Sequence, residues 1–316
     1  MSSYSYEKCL ERSYRVNWRI EDVLADRAFE LTREWLSRGL SGAHRVGCLS
    51  ADERRKLTHV EMAAYAHLFG YAEEFVAPTL VELAWSVDPS ERAAFDALTN
   101  FAGEEVKHMN LFRQVRERID QQLGFETELL GHRDESVRLV RGKNRGAVLL
   151  LTACIEWFTQ RHYRECFQKD DALDPFTLHI FKCHWKEESQ HAQLDHLETL
   201  RAFAGMNEAQ KDEAIDDLIE LVGVVDGWLV EQAEHDLRNF ERYIDRRLTA
   251  AERTEVREEV LRAKRHTFLV TGVTHPRFLE LFAEVANSTQ QERVNAALVR
   301  MLPVLADAPE PRVIAA

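Results

Sequence analysis

Apolar residues recur along this chain with the period of an α-helix. From Leu57 the series runs through Val60, Ala63, Tyr65, Phe69, Phe75, Val76 and Leu80 to Leu83, which predicts a helix over about 55–85. Ser50 with Glu53 three residues on is a start signal for it. Pro78 is expected to bend it. Asp88-Pro89 opens a second helix over about 90–120, carried by Phe95, Leu98, Phe101, Leu111, Phe112 and Val115. A third, over about 145–168, is apolar nearly all round from Ala147 to Ile155, so it belongs at the centre of the fold. Asp174-Pro175 repeats the Asp-Pro signal and opens a fourth over about 175–204. Before these four, Glu21–Leu36 reads as an amphipathic helix in a packing arm without chemistry, followed by a break at Ser37–Gly42. Residues 123–144 read as a charged connection crossing the end of a bundle. Residues 207–306 are helical again, with a stripe at Leu218, Leu221, Val225, Trp228 and Leu229, while Gly272 and Pro276 punctuate. The end from Pro303 reads as frayed. No strand pattern and no glycine-rich phosphate loop stand out. The expectation is an all-α chain forming one domain over 1–316, with a four-helix core at about 55–204 and a helical extension at about 207–306.

Composition narrows the partners. The net charge of −13 argues against nucleic acid and anionic membranes, which need clustered positive charge. The longest apolar run, Ala147–Ile155, is far short of the ~20 residues of a membrane span. The N-terminus has no apolar core of a secretory signal. Cys9, Cys48, Cys154, Cys166 and Cys183 are scattered, without a Cys-x-x-Cys pair. That pattern suits reduced thiols and a cytoplasmic location.

Polar residues inside the apolar stripes change the picture. At about 100° per residue, Glu188 stands about 40° and His191 about −20° from His184, so three ligand-type side chains share one narrow stripe. Glu105 and His108 are neighbours on the face that carries Leu98, Phe101 and Phe112. Glu156 lies within the most apolar helix, and Glu73 lies by the stripe of Tyr65, Phe69 and Val76. Buried charge without a partner is costly, and a metal ion is one reason for it to persist. A buried Glu–His hydrogen bond is the plainer alternative.

The two halves match. Glu73 to Glu105 and Glu156 to Glu188 are each 32 residues apart, and each second Glu begins Glu-x-x-His. Each half is a helix with a Glu, a turn, and a helix with Glu-x-x-His. Folded as two antiparallel pairs, they bring four carboxylates and two imidazoles together in a ferritin-like four-helix bundle, the arrangement of carboxylate-bridged di-metal sites. Four carboxylates neutralise two divalent ions. Iron suits this oxygen and nitrogen set with open positions for O2, and manganese is an alternative.

Glu104-Glu-Val-Lys-His108, Ile155-Glu-Trp-Phe-Thr-Gln-Arg-His-Tyr163 and His184-Trp-Lys-Glu-Glu-Ser-Gln-His191 resemble the p-aminobenzoate N-oxygenase family of di-iron oxygenases over roughly residues 50–205. That family has a third histidine four residues before the Glu of its last Glu-x-x-His, and His184 stands there. The resemblance implies two iron ions held by Glu73, Glu105, His108, Glu156, His184, Glu188 and His191, with Glu74 and Glu61 as alternatives to the first. It implies O2 activation and oxygenation of an amine nitrogen, with a small-molecule substrate and an electron donor as partners. Phe69, Phe101, Thr152 and Gln160 stand about one turn from ligands, where they would line a pocket or form ordinary core. The competing expectations are an iron-handling ferroxidase, an oxidase acting on carbon, and a purely structural bundle. The C-terminal helices are also candidates for a homodimer face.

Overall fold

The computed structural model describes residues 4–302, and the frayed end expected from Pro303 lies outside them. Eleven helices and no strand make up the described residues. Four long helices form the centre: α3 (Ala51–Ser86), α4 (Arg92–Leu123), α6 (Arg145–His162) and α7 (Pro175–Ala204). α3 packs along α4, and α6 along α7. α1 (Tyr6–Val16) and α2 (Ile20–Leu24) precede them, and α5 (Arg133–Arg141) links the two pairs. The C-terminal helices are α8 (Glu208–Tyr243), α9 (Ala250–Arg265), α10 (Pro276–Val285) and α11 (Ser288–Met301). A π-helical turn, Tyr163–Phe167, extends α6, and another, His266–Val270, carries α9 into a last turn at Thr271–Val273.

The sequence signals act locally as expected at two of the starts. The Glu53 N–H donates to the Ser50 hydroxyl at 3.2 Å and the Ser50 N–H donates to the Glu53 carboxylate at 2.8 Å, closing the capping box on α3. Asp174 caps α7 by accepting from the Thr177 N–H at 2.8 Å, with Pro175 in the first helical position. Asp88-Pro89 instead forms a turn, and α4 starts at Arg92. Pro78 is held within α3, which runs on to Ser86.

Three expectations are corrected. The helix read over Glu21–Leu36 stops at Leu24, because α4 side chains take over the backbone that follows. Arg118 donates to the carbonyls of Leu24, Ala25 and Arg27, and Gln122 bonds both the N–H and the carbonyl of Phe29. Ala25, at φ 38°, turns the chain away from the helix. The connection at 123–144 contains α5, and Gln232 and Asn239 of α8 bond the backbone of Leu130 and Glu128 ahead of it. Gly272 does not break the chain. It lies in the last turn after α9, where that turn crosses α6 so closely that a Cβ would stand 2.8 Å from the Cys154 carbonyl oxygen and collide with its sulfur.

The close crossing makes a stability prediction. Gly272→Ala should cost about 1–3 kcal/mol by overpacking, read as a lower urea midpoint. Cys154→Ala should restore only part of it, because the backbone carbonyl contact remains. An unchanged midpoint would show that the crossing yields without strain.

Candidate metal centre

The centre of the bundle holds the seven residues singled out from the sequence, all buried: Glu73 from α3, Glu105 and His108 from α4, Glu156 from α6, and His184, Glu188 and His191 from α7. Two clusters of ligand-type atoms overlap there. One is Glu73, His108, His184 and Glu188; the other is Glu105, His108, Glu188 and His191. Glu188 links them, with Oε1 2.6 Å from His184 Nε2 and 3.0 Å from His108 Nδ1, and Oε2 2.9 Å from His191 Nδ1. Glu105 Oε1 is 2.9 Å from His191 Nδ1 and 3.7 Å from His108 Nδ1. Glu73 Oε1 is 3.4 Å from His184 Nε2. Glu156 lies outside both clusters, buried, with Oε2 unpartnered.

The alternatives on α3 point elsewhere. Glu74 pairs with Arg133 at 2.6 Å. Glu61 is buried a distance up the helix, where it accepts from the Ser41 hydroxyl and, at 2.8 Å, from the Gly42 N–H.

His191 Nδ1 and Glu188 Oε2 are hydrogen-bonded at 2.9 Å, but other close approaches here are not. Glu73 Oε2, Glu105 Oε1, His108 Nδ1, Glu156 Oε2 and His184 Nε2 are fully buried and make no aligned hydrogen bond. Buried polar atoms are ordinarily satisfied, and so many orphans in one place call for an absent partner. Glu73, Glu105, His108 and His184 belong to the two clusters, whose ligand-type atoms lie within 4.8 Å of one another, as the donors of a cation site do. Four carboxylates balance two divalent ions, and the imidazoles add neutral nitrogen donors. The residues therefore fit a two-metal centre.

The titration of these groups without metal says the same. Burial raises the Glu73 carboxyl to about 7, with the His184 contact opposing and Glu105 reinforcing. Burial, then the Glu188 charge, holds Glu156 well above the usual carboxylate range. Burial would depress His108 and His191, but the surrounding carboxylates, Glu188 foremost, hold both well above the usual imidazole range.

Two carboxylates went unrecognised in the sequence. Glu187 accepts from His108 Nε2 at 2.9 Å, and Glu104 accepts from His191 Nε2 at 2.9 Å. Each comes from the helix opposite its histidine, so the two bonds cross between α4 and α7. Each fixes its ring with Nδ1 facing inward, the usual support of a metal-bound imidazole. The signal was the doubled glutamate in both motifs, Glu104-Glu105 and Glu187-Glu188.

The N-terminal arm, read as inert packing, also reaches the site. The Ser13 hydroxyl donates to Glu104, and Asn100 Nδ2 donates to Ser13 Oγ at 2.7 Å. The Trp18 ring stacks over His108 at 5.7 Å between centroids. Lys107 Nζ sits 4.2 Å from the Trp18 ring centre and 2.6 Å from Glu187. Of the four possible pocket residues, Phe101 stacks on His191 at 3.8 Å and Phe69 meets His184 edge-on at 5.2 Å. Thr152 donates to the Leu149 carbonyl at 3.1 Å, and Gln160 Nε2 is buried without a partner.

All five cysteines are free, and among the described residues no helix is long and apolar enough to cross a membrane. No curated protein matches the chain. Solved structures similar to it include two variants of an R2-like ligand-binding oxidase with a Mn/Fe cofactor. One is 14% identical over 83% of this chain and 93% of that one, with a TM-score of 0.42. The other is 12% identical over 83% and 94%, with a TM-score of 0.41. The family model for p-aminobenzoate N-oxygenase AurF matches residues 7–275. With that match spanning most of its length, the chain belongs to the p-aminobenzoate N-oxygenase family and is an O2-activating, non-haem di-iron oxygenase.

Proposed function

We propose that the protein N-oxygenates a small-molecule amine, with its two irons held by Glu73, Glu105, His108, Glu156, His184, Glu188 and His191. What supports this ligand set is a buried core in which Glu73, Glu105, His108 and His184 leave oxygen or nitrogen atoms unpartnered in two clusters shared with Glu188 and His191, with the unpartnered Glu156 carboxyl buried as well. His184 gives this set one imidazole more than the two Glu-x-x-His motifs supply. In the balanced reaction a primary amine, O2, two electrons and two protons give a hydroxylamine and water. One oxygen atom enters an N–H bond and the other leaves as water. The electrons come from an external donor, a reduced electron-transfer protein or flavin.

The bound irons supply O2 reduction. The chain supplies the rest. Four helices fix the ligand atoms before metal arrives, so little ordering accompanies binding. Glu104 and Glu187 hold the imidazole tautomers. Phe69, Phe101 and Phe112 pack rings against His184 and His191, which excludes water from that wall. Ferroxidase action is the weaker reading, because helices beyond the bundle cover α3 and α6 where a bare bundle would be open.

Wild-type protein should carry about two irons per chain and consume O2 only when reduced and given an amine. Iron-loaded protein that turns over O2 equally without any amine would remove the oxygenase reading. Glu156→Ala and His191→Ala should each lose iron while keeping the helical circular dichroism of the wild type. Full iron occupancy in either would strike that residue from the ligand set.

Glu104→Ala should weaken metal binding about 10–100-fold, and Glu104→Gln, which still accepts from His191, should recover most of it. If both variants bind metal alike, the carboxyl does not position the ring.

Metal loading should also release protons in a pH-dependent way. A carboxyl raised to about 7 is protonated at pH 6 and ionised at pH 8, so a cation displaces a proton from Glu73 only at the lower pH. Indicator titration with ferrous iron should therefore show greater release at pH 6 than at pH 8. Equal release would mean that Glu73 does not titrate on loading.

A further inference from the structure

An apolar cavity of about 80 Å³ lies outside the α3–α6 seam, beneath the C-terminal helices. On α3 its wall is Leu68, Tyr71, Ala72 and Phe75; on α6 it is Leu151, Cys154, Ile155 and Phe158. These stand at the same four offsets from Glu73 and from Glu156: five, two and one residues before, and two after. The repeat that turns a carboxylate inward on each helix thus turns an apolar face outward on the same turns. Ala72 and Ile155 are the immediate chain neighbours of Glu73 and Glu156. At the end nearest the metal centre, the Phe158 and Phe268 rings meet Phe69 at 5.9 and 6.3 Å, and Phe69 meets His184 at 5.2 Å. One layer of aromatic rings separates cavity from ligands.

No Arg, Lys, His, Asp or Glu lines this cavity. The Tyr71 hydroxyl is engaged elsewhere, donating to the Gly131 carbonyl at 2.7 Å. The arginines of the neighbouring α3–α4 face line a separate hollow: Arg133 pairs there with Glu74 and Arg113 with Glu117, while Arg116 meets His67 Nδ1 at 3.4 Å. A carboxylate entering the cavity would be desolvated with no counter-charge, which opposes its binding. By the measure in which one water needs roughly 10–15 Å³, the space takes about as many atoms as an aromatic ring or a short alkyl chain. Val222 and Leu298 line it away from the seam, on α8 and α11.

We infer that this cavity binds the hydrocarbon part of an uncharged amine, and that the protein selects arylamines or alkylamines without a carboxylate. This specifies the substrate class for the N-oxygenation proposed above and rests on that reading only for the fate of the amine. It sets the chain apart from the aminobenzoate in its family's description. Selection comes from the missing counter-charge, since a site without a partner for a buried charge rejects the ligand that carries it.

The test is calorimetric titration of the iron-loaded protein with 4-methylaniline and with 4-aminobenzoate, which differ in a methyl against a carboxylate. 4-Methylaniline should bind at least tenfold tighter. Val222→Phe, which fills the cavity, should weaken it at least tenfold while iron content stays at the wild-type value. Leu298→Ala, which enlarges the cavity, should shift preference toward 4-butylaniline; this variant decides the matter if Val222→Phe does not fold. Equal or tighter binding of 4-aminobenzoate, or affinities that neither variant changes, would overturn the assignment. The two readings fail separately: protein that binds 4-methylaniline but holds no iron keeps the cavity and loses the oxygenase, and iron-loaded protein indifferent to arylamines does the reverse.

Discussion

Four carboxylates buried in one apolar bundle are the constraint to which the rest of the structure answers. Each would cost several kcal/mol to hold there alone and ionised. Mutual repulsion adds to that cost, so that burial first and neighbouring carboxylates after it raise the Glu73 carboxyl to about 7 and hold Glu156 well above the usual carboxylate range. Cations remove both terms at once. The bundle can therefore present these side chains only because it is stable for other reasons. Those reasons are the long apolar faces of the four helices and the helices packed outside them.

Rigidity follows from where the candidate ligands sit. All seven project from the interiors of helices at least 18 residues long, none from a loop. Their placement is set by helix packing and then refined by contacts from outside. Glu104 and Glu187 turn the imidazoles, Ser13 holds Glu104, and Lys107 holds Glu187. The cores that these contacts join are formed by residues distant in sequence.

The four central helices were legible because helical period and the Asp-Pro and Ser-x-x-Glu signals are local. The candidate ligands stood out because a 32-residue interval, repeated, is improbable without a shared role, and the fold brings them to the centre of the bundle. What escaped was everything decided between helices. The doubled glutamates were in view, but only packing shows that Glu104 serves a histidine on α7 and Glu187 one on α4. The stretch after Leu24 has helical amphipathicity, yet Arg118 and Gln122, more than 90 residues away, take its backbone partners. Gly272 looks like a chain break in a sequence and is a contact in space. The stripe of Tyr65, Phe69 and Val76 favoured Glu73 over Glu74, and packing places Glu73 in the buried cluster and Glu74 on Arg133.

The internal repeat makes the bundle nearly two-fold, and its coverings break that symmetry. Over the α4–α7 side lies the N-terminal arm, bringing Ser13, Trp18 and the partners of Lys107. That side carries the histidines, their supporting carboxylates and a cation near the surface. Over the α3–α6 side lie α8, the turns after α9, α10 and α11, which leave a dry cavity against the backs of the helices bearing Glu73 and Glu156. On the first side ionisable groups run outward from His108 through Glu187 to Lys107. An apolar molecule is accommodated on the second. The duplicated pair of helices supplies six of the seven proposed ligands in matched positions, and His184 stands outside the match. The unduplicated ends of the chain, one polar and one apolar in what they lay on the bundle, divide its two faces between charge and substrate.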